Sequence, residues 1–381
     1  MKFFIVSGEA SGDLHGANLV KELKRLNPNA TFVGWGGDLM QKQGVEIKKH
    51  YKELAFMGFL EVIKNIRTIF KNIKLCKQQI VEENPDAVIF IDYPGFNLRM
   101  TKFAKKQGFT TLYYISPTVW AWKENRIKTI KEYVDKLFVI LPFEKQFYAE
   151  RGCDVEFVGH PLIDAVADFR QNNALSKDDF LKKYNLSDTK IVALLPGSRK
   201  QEIKKKLPIM LAVAKKHPEF QFVIGGAPGL EKAYYESVLE GNKIKIIYND
   251  TYNLLNNAYA GLVTSGTATL ETALFQVPQV VCYQTSGFSY AIAKRLVNIT
   301  YISLVNLILN KEVVKELIQN ELNEGNLIRE FNLLIEKEAR QKMLEAYREL
   351  DTLCGGVGAS KNTAKGMLAI VNEKKRRYLK K

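Results

Sequence analysis

Short apolar runs alternate along this chain with stretches of helical periodicity. Runs at 2–7, 31–34, 87–92, 110–115, 136–140 and 155–158 predict one series of strands; runs at 190–195, 220–225, 244–247, 260–264 and 279–283 predict a second. Val88-Ile89-Phe90-Ile91 is apolar at every position, as in a central parallel strand covered by helices on both faces. Strands alternating with helices predict an α/β fold with doubly wound sheets. Two loops that follow apolar strands, Gly8-Glu9-Ala10-Ser11-Gly12-Asp13 and Pro196-Gly197-Ser198-Arg199, place such a start in each half of the chain. The expectation is two Rossmann-like lobes facing a cleft, with ligands beyond the carboxyl ends of the strands. Between 165 and 189 the chain turns polar and irregular, which puts the domain boundary near 168/169. Beyond about 325 it reads as helical and charged, and it carries no fixed-period repeat.

One periodic stretch allows two readings. From Phe56 to Val81, apolar residues Phe59, Val62, Ile63, Ile66, Ile69, Phe70 and Ile73 recur at helical spacing beside Lys64, Arg67, Lys71, Lys74 and Lys77. Such a helix packs its apolar face on a sheet, or it rests on an anionic membrane surface. The basic end, 374–381, reads as a solvated tail or a contact for an anionic partner.

Composition narrows the class. With 381 residues and 46% hydrophobic content the chain suits two domains of a folded enzyme. The excess of 56 Lys and Arg over 41 Asp and Glu, a net +15, favours an anionic partner. Cys76, Cys153, Cys282 and Cys354 lie far apart and read as reduced thiols; with His50, His160 and His217 scattered, no metal site is expected. The start, Met1 to Val6, is too short an apolar run for a signal peptide, and Glu9 and Asp13 follow at once, so it reads as the first strand. No run spans a bilayer: Thr272 to Ala293 is broken by Gln276, Pro278, Gln279 and Gln284.

Four constellations carry candidate chemistry. Pro196-Gly197-Ser198-Arg199 lacks the Lys-Ser/Thr of a P-loop, and the spacing of Ser198 and Gln201 predicts a capping box that starts a helix. Such a terminus binds an anion, with Arg199 on a diphosphate, or it is a plain turn with a surface arginine. In Thr264-Ser265-Gly266-Thr267-Ala268-Thr269-Leu270-Glu271, Thr267 and Glu271 share a helix face, where the carboxylate holds a ribose or complements the helix dipole. Asp92, in Ile91-Asp92-Tyr93-Pro94-Gly95-Phe96-Asn97, ends the central strand; it takes a proton from a sugar hydroxyl or bonds its own turn. Gly8 to Asp13 is not a dinucleotide fingerprint: Glu9 and Asp13 repel phosphate and suit hydroxyl recognition, and His15 beside them reads as structural. No Asp-x-Asp pair occurs, so leaving-group charge falls to helix N-termini and Arg.

Taken in order, these residues resemble the lipid-A-disaccharide synthase family of two-lobed (GT-B) glycosyltransferases. The match runs through Gly8–Asp13, Ala55-Phe56-Met57-Gly58, Ile91–Pro94 with Phe96-Asn97, and Ser116-Pro117-Thr118-Val119-Trp120-Ala121-Trp122. It continues through Leu141-Pro142-Phe143-Glu144, Gly159-His160-Pro161, Leu195–Arg199, Ser265–Ala268 with Glu271, and Tyr301-Ile302-Ser303-Leu304-Val305-Asn306. The resemblance implies an inverting, metal-independent, cofactor-free transfer. UDP-2,3-diacylglucosamine would give its sugar to 2,3-diacylglucosamine 1-phosphate, forming a β-1,6-linked disaccharide 1-phosphate and UDP. It makes Asp92 the general base, and Gly197, Ser198, Arg199, Ser265, Gly266, Thr267, Ala268, Glu271 and Asn306 the UDP-sugar residues. Gly8, Glu9, Ser11, Asp13, Met57 and Gly58 would shape the acceptor side. It implies an N-terminal acceptor and membrane-facing domain, 1–168, joined by a C-terminal helix, 355–381, and a UDP-sugar domain, 169–354. It also implies a place on the cytoplasmic face of a Gram-negative inner membrane, and it allows a homo-oligomer. Gly95 stands where some members carry an acid.

Other readings are another GT-B enzyme on UDP-GlcNAc, peptidoglycan transferase-like or 2-epimerase-like, and a lipid-binding protein without activity. A nucleic-acid-binding protein would carry a binding module or a basic stripe with stacking aromatics, and neither is found.

Overall fold

In the computed structural model the described residues are 1–54, 66–227, 229–287, 290 and 299–379. They form two compact units, Met1–Asp164 with Cys354–Lys381, and Ala165–Leu353. Ala55-Phe56-Met57-Gly58 and the rest of 55–65 lie outside the described residues.

The first unit holds β1 (Lys2–Ser7), β2 (Thr31–Gly36), β3 (Glu46–His50), β4 (Ala87–Ile91), β5 (Thr110–Tyr114), β6 (Lys136–Val139) and β7 (Val155–Phe157). They make one sheet in the order β3-β2-β1-β4-β5-β6-β7, and every pair is parallel. The residues of β4 are all buried and alternate between faces: Val88 and Phe90 join Phe4 and Val6 in one core, Ala87, Ile89 and Ile91 join Phe3 and Ile5 in the other. Burial on both faces is what the continuous apolar run required. The C-terminal helix Ala359–Leu379 completes the second core through Ala364, Met367 and Val371. Asp164 caps it, accepting from the backbone N–H of Gly358 at 2.5 Å and of Ser360 at 3.1 Å. Lys374 and Lys375 of the basic end pair with Asp135 at 2.6 Å and Asp86 at 2.8 Å, so these two charges serve the fold.

The second unit holds β8 (Ile191–Leu195), β9 (Gln221–Gly226), β10 (Lys245–Tyr248), β11 (Ala258–Thr264), β12 (Gln279–Tyr283) and β13 (Lys315–Ile318). The order is β10-β9-β8-β11-β12-β13, again parallel throughout. In each sheet the order of strand addition therefore reverses at the centre, between β1 and β4 and between β8 and β11. Chains leaving those neighbouring strands diverge, and the space beyond their carboxyl ends is where doubly wound folds take ligands.

The two strands absent from the sequence reading, β3 and β13, both lie at sheet edges. An edge strand is half solvated and carries charge, which blurs the apolar run; β3 reads Glu-Ile-Lys-Lys-His. The stretch 165–189, expected to be irregular, instead carries most of helix Pro161–Asn172 and all of helix Lys177–Tyr184. Its polar composition is the exposed face of those helices, while Phe169, Phe180 and Leu181 are buried. The expected helix of 56–81 is described from Ile66 to Glu83. There the packing reading holds for Cys76 and Ile80, both fully buried, but Phe70 stands 62% exposed.

Gly34 pairs with Ile5 across β1 and β2 at φ 151°, and a Cβ there would overlap the Ile5 carbonyl oxygen. Gly34→Ala is expected to cost on the order of 3 kcal/mol, read as a lower urea midpoint. An unchanged midpoint would refute this account of the strand pair.

Candidate functional site

In the first unit the switch point is built around a strained turn. Asp92 and Tyr93, directly after β4, have φ of 43° and 47°. Two successive left-handed residues without glycine cost about 1–3 kcal/mol each and persist only where the surroundings impose them. Here the buried Asn97 amide donates to the carbonyls of Asp92 at 2.8 Å, Ile91 at 3.2 Å and Val6 at 3.3 Å. The Tyr113 hydroxyl donates to the same Asp92 carbonyl at 2.6 Å. The Tyr93 ring lies against Gly8, leaving no room for a Cβ there. This accounts for Gly8 and Asn97 in the motifs; Tyr113 carries no sequence signal beyond an apolar strand.

The Asp92 carboxyl is pushed up to about 6, mainly by burial and also by the negative charge of Glu9. A carboxylate so raised is a stronger base than an exposed one yet still ionised at neutral pH. Glu9 is the N-cap residue of helix Ala10–Leu26, and both Glu9 and Ser11 are exposed. Asp13 departs from its expected role: it is 2% exposed and accepts the N–H groups of Gly37 at 2.8 Å, Leu39 at 3.0 Å and Met40 at 3.1 Å. Its charge starts the helix Asp38–Lys42 and is not free for a ligand. Met57 and Gly58 lie outside the described residues. At Gly95 a Cβ would meet nothing within 4 Å, so the place where some members carry an acid is open. His15 is half-buried, and loss of water around its ring pushes it down to about 4, a neutral structural ring.

A second buried acid supports the neighbouring loop. Glu144 is 1% exposed and accepts from the N–H of Leu141 at 3.0 Å and Ile140 at 3.3 Å. Burial pushes it up to about 7, and Trp120 of the Ser-Pro-Thr-Val-Trp-Ala-Trp motif packs edge-on against Phe143, the residue before it, at 5.1 Å. The two motifs thus fold onto one another.

In the second unit an open pocket of about 1330 Å³ lies beyond β8, β9, β10 and β11. Its polar wall brings together Gly197, Ser198, Arg199, Ser265, Gly266, Thr267, Ala268 and Glu271, eight of the nine expected donor-site residues. Gly197 has φ 126°. The helix Lys200–Lys216 begins with Arg199 as N-cap and no side-chain cap bond, so the expected Ser198–Gln201 box does not form. Glu202 takes its place, accepting the Ser198 N–H at 3.2 Å. Arg199 is exposed and its guanidinium has no protein partner among the described residues. The helix Thr267–Leu274 points a second N-terminus at the same wall, without a side-chain cap. Free N–H groups, two helix dipoles and an unpaired arginine suit a diphosphate.

Glu271 is half-buried, which raises its carboxyl, and it receives the Tyr252 hydroxyl on Oε1 at 2.9 Å. The opposite wall comes from the chain after β10 and from Phe169 and Tyr184. Asp250 anchors it, accepting from Lys183 at 2.9 Å, from Asn253 at 2.7 Å and from the Tyr184 hydroxyl. None of these residues showed in the sequence, because single polar residues after an edge strand form no motif.

Asn306 is the correction. It is fully buried, does not line the pocket, and spends all four of its hydrogen-bonding positions inside the protein. It donates to the Val314 carbonyl and Glu316 and accepts from the Val313 and Val314 N–H groups. Glu316 in turn accepts the N–H groups of Ile302 and Ser303, and the Ile302 carbonyl accepts the Ser265 hydroxyl at 2.9 Å. Asn306 therefore reaches the pocket only through this chain of bonds.

Because Asp92 is raised in the folded state from 3.8 to about 6, its stabilising contribution is whole below pH 3.8 and is lost as pH rises through about 6. Asp92→Asn is expected to raise stability at pH 8 by up to about 3 kcal/mol and to change it little at pH 4. Urea unfolding at the two pH values checks this; an equal effect at both would remove the raised carboxyl.

The chain is similar to known proteins over nearly its whole length. A family model described as lipid-A-disaccharide synthetase matches residues 3–369. The lipid-A-disaccharide synthase of Coxiella burnetii (strain Dugway 5J108-111) is 40% identical over 95% of this chain and 96% of its own. That of Syntrophus aciditrophicus is 38% identical over 97% of both chains. Among solved structures, the UDP-GlcNAc 2-epimerase of Neisseria meningitidis bound to UDP-GlcNAc has a TM-score of 0.67, covering 98% of this chain and 100% of that one at 16% identity. That last likeness is one of fold, the GT-B pair of Rossmann-like lobes.

Proposed function

Since the chain belongs to the lipid-A-disaccharide synthetase family, glycosyltransferases of lipid A biosynthesis, we propose that it transfers the sugar of UDP-2,3-diacylglucosamine to 2,3-diacylglucosamine 1-phosphate. Asp92 accepts the proton of the acceptor 6-hydroxyl, and that oxygen bonds to C1 of the donor sugar. The bond from C1 to the diphosphate oxygen breaks, and UDP leaves with the electron pair. Attack opposite the leaving group inverts C1 and gives the β-1,6 link. Charge on the departing diphosphate falls to Arg199 and the N-termini at Lys200 and Thr267, which supports a transfer without a metal ion. Glu271 Oε2 is left to meet the ribose hydroxyls.

The observation that carries this reading is the Asp92 turn: a carboxyl raised to about 6, held in a left-handed backbone by Asn97 and Tyr113. Strain at two successive residues, one of them an acid at a switch point, supports a group placed for chemistry. UDP release from the two acylated substrates in mixed micelles with EDTA is the direct test, with UDP-GlcNAc as control donor. Turnover with the acylated pair alone is expected, and Asp92→Asn is expected to lower kcat by about 100-fold or more while donor binding holds. Turnover on UDP-GlcNAc, or a fully active Asp92→Asn enzyme, would overturn the assignment of substrate or base.

We further propose that the protein works on an anionic membrane surface, the cytoplasmic face of the inner membrane. No helix among the described residues is long and apolar enough to cross a membrane. Support comes from helix Ile66–Glu83, where Phe70 is 62% exposed beside exposed Arg67, Lys71 and Lys74. Co-sedimentation is expected with vesicles containing anionic lipid, and less with Phe70→Ser or at high salt. Equal recovery with neutral vesicles would remove the electrostatic part of the proposal.

A further inference from the structure

Lys206 is the single lysine in the buried class among the described residues, at 2% exposure. It lies on helix Lys200–Lys216, two turns from Arg199, and its Nζ donates to Thr264 Oγ1. No carboxylate lies within ion-pairing distance among the described residues. Glu202, one turn earlier, bears on it electrostatically but has Oε2 committed to the Ser198 N–H. From β12, it faces only the Cys282 thiol, itself buried and pushed up to about 12. A buried ammonium with one neutral partner is an unfavourable arrangement, and burial accordingly holds Lys206 below the ordinary lysine range.

The direction of the Thr264 bond matters. A hydroxyl that accepts from an ammonium has its proton free to donate elsewhere. Thr264 is half-exposed and lines the pocket, next to Ser265 and Gly266 and on the same wall as Ser198 and Arg199. We propose that Lys206 is a positioning residue: through Thr264 it aims and polarises a hydroxyl donor at the diphosphate of a nucleotide bound in this pocket, whose charge is the partner the ammonium lacks. This rests on the nucleotide reading of the pocket. The sequence gives no hint of it, because Lys206 sits in the run Lys204-Lys205-Lys206 and reads as solvated. Among the described residues Glu202, Cys282 and Thr264 are the groups that bear on the ammonium, and none supplies a negative charge bonded to it. An arriving diphosphate therefore favours the protonated lysine, and binding is coupled to proton uptake at alkaline pH.

Calorimetry with UDP and with uridine tests the proposal. Lys206→Met keeps the volume without the charge; Thr264→Val removes the donor and Thr264→Ser restores it. Lys206→Met and Thr264→Val are each expected to weaken UDP by about 10- to 100-fold, to leave uridine within about twofold, and Thr264→Ser to recover UDP binding. At about pH 9, titrations in buffers of different ionisation enthalpy should show proton uptake on UDP binding by the wild-type protein and none by Lys206→Met. UDP affinity unchanged in both Lys206→Met and Thr264→Val, with uridine bound normally, would overturn the role of Lys206 alone. Equal losses for UDP and uridine would reduce Lys206 to a structural residue. A wild-type protein that binds neither UDP nor uridine would overturn the nucleotide reading itself.

Discussion

A fully buried parallel strand has nowhere to send its chain except across a face of the sheet, and the crossover must be right-handed. In both units the central pair, β1 with β4 and β8 with β11, sends its crossovers to opposite sides. Within each unit the carboxyl ends of that pair are then met by the loops that follow the strands. Gly8–Asp13 and Asp92–Asn97 in one unit, Gly197–Arg199 and Ser265–Ala268 in the other, are those loops. The candidate site residues cluster where the sheet topology sends neighbouring chains apart, and helices that follow those loops begin there.

The buried polar groups around these loops divide by what they hold. Asp13, Asp164 and Glu144 cap the starts of helices and fix the approach of neighbouring segments. Asn97 and Asn306 tie turns to strand ends, and each spends its amide on backbone carbonyls or a carboxylate. Asp92, half-buried, and Lys206, fully buried, are different, because among the described residues neither has an opposite charge bonded to it. Such groups oppose folding stability. Asp92 is raised and Lys206 lowered, as burial requires of an acid and a base, and both lie beside a strand end at a switch point. Unpaired charge of this kind marks a candidate functional group.

The net charge of +15 is also divided. Lys374 and Lys375 fasten the C-terminal helix to Asp135 and Asp86, and Lys105 pairs with Asp135 as well. Arg199 and the exposed basic residues around Phe70 make no such ion pair among the described residues, so total charge overstates the charge left unpaired at the surface.

The sequence by itself determined the two doubly wound sheets, the ordered motifs of the family and the switch-point loops, because continuous apolar strands and glycine turns are local signals. It placed Asp92 at a strand end, and eight of the nine residues it named for the UDP-sugar lie on one pocket wall. It passed over the edge strands β3 and β13, whose charged residues hide the apolar pattern. Only the tertiary structure decided how side chains spend their hydrogen bonds. Asp13, in a loop that suits ligand binding, turns inward to cap a helix 25 residues away in the chain, since Asp38 follows it by that distance. Glu202 takes the capping place expected of the Ser198–Gln201 pair, Asn306 supports the pocket from behind, and Lys206 leaves its basic run for the interior. Burial and partner choice depend on which distant segments meet, and no local pattern of residues encodes that.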